Sequence, residues 1–224
     1  MPNSHPTDEL LMEHAAGATS EATGLLLATH LALCPSCRTR LQDFEAIGGA
    51  LLEALEPAHV AARGLDAVLA RLDAAPLDDG APAIAAAPPR PAAMPAGVDA
   101  ARIPQPLRGY LEASGEWRRV APGMEQLELP LSRPGVRTRL LRIKAGAAMP
   151  RHTHTGSELT LVLEGGFHDE GGDYRRGDLA MADADTVHRP VAGAGADCLC
   201  LVVVEGGIRL TGPFGRMVNL MLRD

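Results

Sequence analysis

The sequence predicts a two-part fold, in which a small all-helical unit over residues 1–75 precedes an all-β unit over residues 107–224. Before residue 75, apolar residues recur at helical spacing, whereas after residue 125 short β-type runs alternate with Gly, Pro and Asp. Eight of the 18 prolines fall within residues 76–106. Because proline removes a backbone donor and cannot continue a helix, this stretch is expected to be a Pro/Ala-rich linker.

Composition and charge restrict the possible functions. The 224 residues suffice for two small domains. The composition, with 46% hydrophobic and 22% charged residues, excludes disorder over the whole chain. The net charge of -7 disfavours a protein that holds nucleic acid by general electrostatics. Residues 1–75 carry ten Asp or Glu and four Lys or Arg. The acidity is therefore concentrated on the helical unit, where it suits a basic protein partner.

Cysteine usage and apolar runs indicate the compartment. Four unevenly spaced cysteines are too few for a disulfide-built scaffold. The longest strongly apolar segment, residues 199–204, is far too short to span a membrane, and no secretory leader pattern is seen. We expect a soluble, cytoplasmic protein whose reduced cysteines serve metals or redox chemistry.

Four helices are expected in the first 75 residues. Capping residues and prolines mark their ends. The first runs from Thr7 or Asp8 to near Gly17, and the second starts at Ser20. The third starts at Pro35 after a Cys34 cap and stops before Pro57. The fourth runs from about Val60 to Leu72. A unit this small is close to the lower limit for a self-sufficient core, so a cross-link such as a bound metal ion would stabilise its fold.

A metal site is predicted at the corner between the second and third helices. His30, Cys34 and Cys37 form the pattern H-x3-C-x2-C, which brings one imidazole and two thiols together. Zinc prefers four nitrogen or sulfur ligands, so one more is needed. His5, on the chain before the first helix, and His14, on that helix, both qualify, and the residues alone do not decide between them.

The all-β part is expected to form a sandwich or barrel of short antiparallel strands. The clearest runs are Leu127–Leu131, Val136–Ile143, Leu159–Leu163, Leu179–Ala182 and Cys198–Val204. His152 and His154 alternate on one strand face, Glu158 shares their parity, and His188 is expected to come from another strand. Three imidazoles and a carboxylate suit zinc, manganese, iron, nickel or copper equally by ligand type.

Two weaker features accompany this second site. Cys198 and Cys200 face the same way on a strand; we interpret them as small core residues, with a redox-sensitive pair or an accessory metal ligand as the alternative. His168 shares the parity of the metal-binding face, although a solvated hairpin position is the preferred interpretation.

These motifs resemble known families. Gly146-x5-His152-x-His154-x3-Glu158-x6-Gly165 is similar to the first cupin motif, and Gly177 with His188 fits the second. Asp183, Asp185 and Ala192 depart from that second motif, and these departures affect the turn and the residues around the ligands rather than the four ligands themselves. The H-x3-C-x2-C core with a preceding histidine resembles the zinc-binding anti-sigma domain, and the two signatures in this order resemble the ChrR family of anti-sigma factors.

The resemblance implies a function and completes the ligand sets. It implies an anti-sigma factor that sequesters an extracytoplasmic-function sigma factor and releases it on oxidative stress of the singlet-oxygen or peroxide type. It implies Zn²⁺ at His5, His30, Cys34 and Cys37, and a second divalent metal, zinc again, at His152, His154, Glu158 and His188. It implies a cupin, that is a double-stranded β-helix, and no enzymatic activity.

Two rival functions remain. A metal-dependent cupin enzyme, such as a dioxygenase or isomerase with an accessory zinc domain, is compatible with the second ligand set. A transcription factor that contacts DNA through its first domain is disfavoured by the acidity of residues 1–75.

Overall fold

The computed structural model describes residues 2–59, 61–74, 94–131 and 134–211. The helices are α1 (Asp8–Ala15), α2 (Glu21–Leu33), α3 (Pro35–Glu53), α4 (Gly64–Ala74) and α5 (Gln105–Glu112). The strands are β1 (Arg118–Ala121), β2 (Met124–Glu128), β3 (Val136–Ile143), β4 (His152–His154), β5 (Glu158–Glu164), β6 (Gly166–Asp169), β7 (Gly172–Arg175), β8 (Leu179–Ala182), β9 (Val191–Ala192), β10 (Cys198–Glu205) and β11 (Ile208–Leu210). Within the described ranges, no helix combines the length and apolarity needed to cross a membrane.

The predicted helix starts are confirmed by their caps. The Thr7 side chain accepts a hydrogen bond from the backbone of Leu10, and that of Ser20 accepts one from Thr23. Cys34 is the cap residue of α3, whose first position is Pro35. The fourth helix begins at Gly64, a few residues later than predicted.

In residues 118–131 and 134–211, the β part forms three antiparallel sheets, which are together called the barrel below. A six-stranded sheet has the order β1-β2-β3-β10-β5-β8, a three-stranded sheet the order β7-β6-β9, and β11 pairs with β4. The predicted strands at 136–143 and 179–182 are confirmed, whereas the strand predicted at 127–131 lies three residues earlier, at Met124–Glu128.

The helical class predicted for the first part and the β class predicted for the second are observed, with one correction: α5 (Gln105–Glu112) is an unpredicted helix that begins in the predicted linker and extends into the predicted all-β part. Proline is tolerated in its first turn, and the burial of Leu107 and Leu111 stabilises it.

Two interior strands of the six-stranded sheet, β10 and β5, are buried on both faces. On β10, Cys198, Cys200 and Val202 face an inner core that includes Phe167 of β6, while Leu201 and its odd-numbered neighbours face the helices. A strand covered on both sides is expected to be apolar throughout rather than alternating. This explains the continuous apolar run from residue 198 to 204.

Helix α2 packs against the barrel as well as against its own unit. Ala22, Leu25 and Leu26 share a core with the outer face of the six-stranded sheet and with α5, and Tyr110 of α5 donates a 2.9 Å hydrogen bond to Glu21. A helix with two apolar sides is hydrophobic all round. The helical unit therefore depends on the barrel for part of its core.

The predicted linker has a described and an undescribed part. Residues 75–93 lie outside the described residues. After them, Met94 and Val98 pack on the outer core, Ile103 is 1% exposed, and Trp117 donates to the carbonyl of Ala96. The chain from residue 94 therefore runs along the barrel before α5, because its few apolar side chains find a surface to cover there.

Candidate metal sites

The first cluster lies where the N-terminal arm meets α2 and α3. His5 precedes α1, His30 lies in the last turn of α2, Cys34 caps α3, and Cys37 lies in the first turn of α3. His5 Nδ1 lies 3.4 Å from the sulfur of Cys34 and 3.3 Å from that of Cys37. One ligand atom from each of the four lies within 4.8 Å of every other, and all but His5 are buried.

The protonation pattern of this cluster fits a metal ion. His30 Nδ1 donates to the carbonyl of Gly177 at 2.8 Å, so its Nε2 carries a lone pair, and that atom is buried without a hydrogen-bond partner. Burial opposes ionisation of Cys34, but hydrogen bonds from Ser36 and from nearby amides lower its pKa overall. Burial and the neighbouring Cys34 raise the pKa of Cys37 to about 12. A second thiolate therefore needs a cation beside it.

His14 lies outside this cluster. It is on α1, and its Nδ1 lies 3.3 Å from the hydroxyl of Thr19. Of the two histidines between which the spacing left the fourth position open, the structure brings His5 to the cysteines.

The second cluster lies inside the β part. His152 and His154 are on β4, Glu158 begins β5, and His188 is joined to His152 by two reciprocal backbone hydrogen bonds of 3.0 Å. The Nε2 atom of His188 lies 3.1 Å from the Nε2 atoms of both His152 and His154. Tetrahedral zinc with bonds of about 2.0–2.1 Å would hold two nitrogens at a similar separation, about 3.3 Å.

In His152 and His188, the hydrogen bond at Nδ1 determines that Nε2 is the ring nitrogen with a lone pair for a metal. His152 Nδ1 donates to the carbonyl of Pro150, and His188 Nδ1 donates to the carboxylate of Asp169, both at 2.8 Å. Their Nε2 atoms are therefore both unprotonated in the neutral rings, and two lone pairs 3.1 Å apart repel unless a proton or metal ion lies between them. The donor set fits a divalent metal.

The electrostatics of the three imidazoles differ. Burial, with the charge of His188, lowers the pKa of His154 to about 4, and burial likewise lowers the pKa of His152. Burial acts in the same sense on His188, but the hydrogen bond to Asp169 and nearby carboxylates raise its pKa overall. His152 and His154 are therefore neutral, metal-competent ligands at physiological pH.

A pocket of about 80 Å³ adjoins Glu158 and His188. Its lining includes Arg139, Phe167 and Cys200. The sulfur of Cys200 lies 3.4 Å from that of Cys198, and the hydrogen bond between them, together with burial, raises the pKa of Cys200. The pair is thus a buried thiol pair in the inner core.

Some site residues were found by sequence reasoning and others were missed. The structure brings together all eight predicted ligands in two groups of four, and it places His168 on an exposed hairpin position. Sequence reasoning did not single out Asp169 as the residue that orients His188, Gly177 as the acceptor from His30, or Asp178 as the acceptor from the arm that carries His5. No local pattern marks them, because their partners are distant in sequence.

The fold and the clusters define a class of protein: a helical unit with a His/Cys cluster joined to a cupin barrel. Residues 112–206 match the family described as the ChrR cupin-like domain. The chain is 38% identical over 222 residues to the anti-sigma-E factor ChrR of Cereibacter sphaeroides, covering 98% of this chain and 97% of that protein. The chain belongs to the ChrR family of anti-sigma factors.

Solved structures give the same assignment. The crystal structure of Rhodobacter sphaeroides SigE in complex with the anti-sigma ChrR matches with a TM-score of 0.73 and 36% identity, covering 92% of this chain and 100% of that one. An RmlC-like cupin from Ralstonia eutropha matches 46% of this chain and 69% of its own, with 25% identity and a TM-score of 0.41. That second likeness is too low to carry an argument about function.

Proposed function

We propose that this chain is an anti-sigma factor, which binds an extracytoplasmic-function sigma factor and keeps it from RNA polymerase. It would thus be a negative regulator of transcription. The observation that carries the proposal is a large exposed apolar surface on the helical unit of a chain similar over its whole length to an anti-sigma factor. The solved relative is itself in complex with a sigma factor.

The exposed apolar surface comprises the apolar side chains of residues 47–72 that α3, α4 and the chain between them leave in contact with solvent. Its eight side chains are 48 to 71% exposed, and α4 has no buried residue. They are Ile47, Leu51, Leu52, Leu55, Leu65, Val68, Leu69 and Leu72. Large apolar side chains left exposed in this number indicate a protein interaction site, and a helix without tertiary packing is marginal in water. The surface is thus suited to a protein partner that covers it.

Charge supports a sigma factor as that partner. The helical unit is strongly acidic, with ten Asp or Glu against four Lys or Arg in residues 1–75. Surfaces that contact DNA are basic because they neutralise phosphates. An acidic apolar surface complements such a basic surface and repels DNA itself, so we place direct DNA binding outside this chain's function.

The two clusters are proposed as metal sites. His5, His30, Cys34 and Cys37 would hold Zn²⁺, and His152, His154, Glu158 and His188 would hold a second divalent metal, which the family resemblance suggests is also zinc. A structural zinc supplies folding free energy to the unit that binds it. The two histidines and two cysteines tie the N-terminal arm, α2 and α3 into one arrangement, from which the end of α3 projects toward the partner.

We also propose that oxidants release the sigma factor from this chain. Sulfur oxidation converts a thiolate that holds the arm and α3 together into a group that no longer does so. Cys34 and Cys37 are such groups in the helical cluster, and Cys198 with Cys200 is a second sulfur pair inside the barrel. Oxidation at either place would loosen the helical unit and free the sigma factor in the cytoplasm.

The test is co-expression of the full chain with extracytoplasmic-function sigma factors of the same organism. We expect a one-to-one complex that survives gel filtration and carries two metals per anti-sigma chain, and we expect singlet oxygen or peroxide to dissociate it. The absence of a complex would contradict the sequestration proposal. A complex that survives both oxidants would contradict only the release step.

A cupin enzyme is the second candidate. The observation that favours it is the pocket beside Glu158 and His188, which offers space next to the ligand cluster. The full-length similarity to an anti-sigma factor favours the regulator over the enzyme. Oxygen consumption by the iron-loaded chain in the presence of a small organic substrate would support the enzyme instead.

A further inference from the structure

The turn between β7 and β8 of the barrel contacts the N-terminal arm that carries His5. Within this β7–β8 turn, Asp178 is 1% exposed. One of its carboxylate oxygens accepts hydrogen bonds from the backbone N–H groups of Asn3 and Ser4, and the other accepts one from Arg175 at 2.7 Å. A buried carboxylate with three N–H donors holds these backbone segments in one arrangement, because charge-assisted hydrogen bonds are strong and directional.

The arm also adds to the edge of the barrel sheet. The backbone N–H of Leu179, the first residue of β8, donates to the carbonyl of Ser4 at 3.1 Å. Residues 3 and 4 are therefore bonded to the barrel directly before His5. This attachment constrains the position of the His5 ring, since His5 immediately follows the bonded Ser4.

The same turn contacts one member of the cluster directly. The carbonyl of Gly177 accepts the 2.8 Å hydrogen bond from His30 Nδ1 that leaves Nε2 with its lone pair. Gly177 has φ +92°, and a Cβ built there would lie 2.7 Å from Cγ of Pro2 and 3.6 Å from Cβ of Leu33. Glycine is thus required both for the backbone conformation and for the close approach of the arm.

We infer that the barrel completes the metal site of the helical unit, with Asp178 and Gly177 as positioning residues for His5 and His30. This inference rests on the proposed metal binding by the His/Cys cluster. It adds that two of the four ligands are oriented by the cupin part rather than by the helical unit. Partners that orient metal-bound histidines typically change metal affinity 10–100-fold when they are removed.

The arrangement also links the two clusters structurally. The turn leads directly into β8, in which Ala182 pairs with Glu158 on β5. A shift of β8 against the rest of the barrel therefore acts on both ligand sets, at Glu158 through the sheet and at His5 and His30 through the turn.

The test uses Co²⁺ bound to the full chain. Only the His/Cys cluster contains thiolates, so a thiolate-to-cobalt charge-transfer band reports that cluster alone. We expect Asp178→Asn to lose cobalt from it to a chelator 10–100-fold faster than the unchanged chain, because an amide cannot accept from all three N–H groups. Asp197→Asn is the matched control, since Asp197 accepts from Lys144 and from the backbone of Ala145 in a barrel turn away from the cluster.

A second variant keeps the inference falsifiable if Asp178→Asn does not fold. Gly177→Ala is expected to speed cobalt loss relative to Gly146→Ala, which has the same kind of positive φ with no atom within 4 Å of its added Cβ. Equal release rates in the folded variants and their controls would overturn the inference. Absence of the thiolate band in the unchanged chain would instead overturn the proposed metal site on which it rests.

Discussion

His188 Nδ1 donates a 2.8 Å hydrogen bond to the carboxylate of Asp169, nineteen residues away on the hairpin beside the cluster. Burial opposes the charged form of Asp169, but this bond and the N–H of Gly171 lower its pKa overall, so the carboxylate is ionised. An ionised acceptor fixes the proton on Nδ1 and leaves Nε2 free for a metal. Asp169 therefore sets the tautomer of His188.

This contact gives the first prediction. Asp169→Asn should weaken metal binding at the cupin cluster about 10–100-fold, because the neutral amide orients the imidazole less firmly. Competition with a chelator measures this affinity, if the signal followed is that of the metal ion without thiolate ligands. Asp173→Asn, on the exposed partner strand of the same hairpin, is the control. Equal affinities in both variants would rule out the role assigned to Asp169.

The exposed apolar surface gives the second prediction. Leu52 is 70% exposed, and Gln is about as good a helix former as Leu, so Leu52→Gln should leave the free energy of unfolding nearly unchanged. Its affinity for the sigma factor should fall about tenfold or more, as for truncation of a buried interface residue. Titration calorimetry measures the affinity. Val120→Thr, at a 48% exposed position on β1, should bind as the unchanged chain does.

The third prediction concerns the two glycines at the start and the end of the first cupin motif. Both have positive φ, but a Cβ on Gly165 would lie 2.3 Å from the carbonyl oxygen of Asp197, whereas one on Gly146 meets nothing within 4 Å. Gly146→Ala should cost about 1–2 kcal/mol for the backbone conformation alone. Gly165→Ala should cost several kcal/mol more, because backbone must move. Thermal unfolding of both variants checks the order, and equal costs would contradict it.

The fourth prediction concerns the helical cluster. Cys34→Ser should reduce the metal content of the full chain from two ions to one and weaken sigma binding, because Zn²⁺ binds a thiolate far better than a hydroxyl. Elemental analysis and pull-down measure the two effects. Cys198→Ala removes a buried thiol outside both clusters and should keep both metals. A Cys34→Ser chain that retains two metals and full affinity would contradict the role of this cluster.

Local rules explain how much of the fold could be predicted. Thr7, Ser20 and Pro35 act within one helical turn, so the helix starts could be inferred from neighbouring residues alone. The same holds for His152 and His154, whose alternation on β4 needs only the period of a strand. The pairing of β2 was less predictable, and the strand proved to lie three residues before its predicted position, because register depends on the neighbouring strand.

By itself, the sequence determined the two-part class, the ligand types and the family resemblance, since each depends on residue identity and short spacing. Only the tertiary structure decided that α2 shares its core with the barrel, that α4 has no buried residue, and that His5 rather than His14 joins the cysteines. It also decided that Gly177 bonds His30 and that Asp178 bonds the arm directly before His5. These relationships join residues up to 175 positions apart, and chain proximity carries no information about contacts formed only when the two parts pack together.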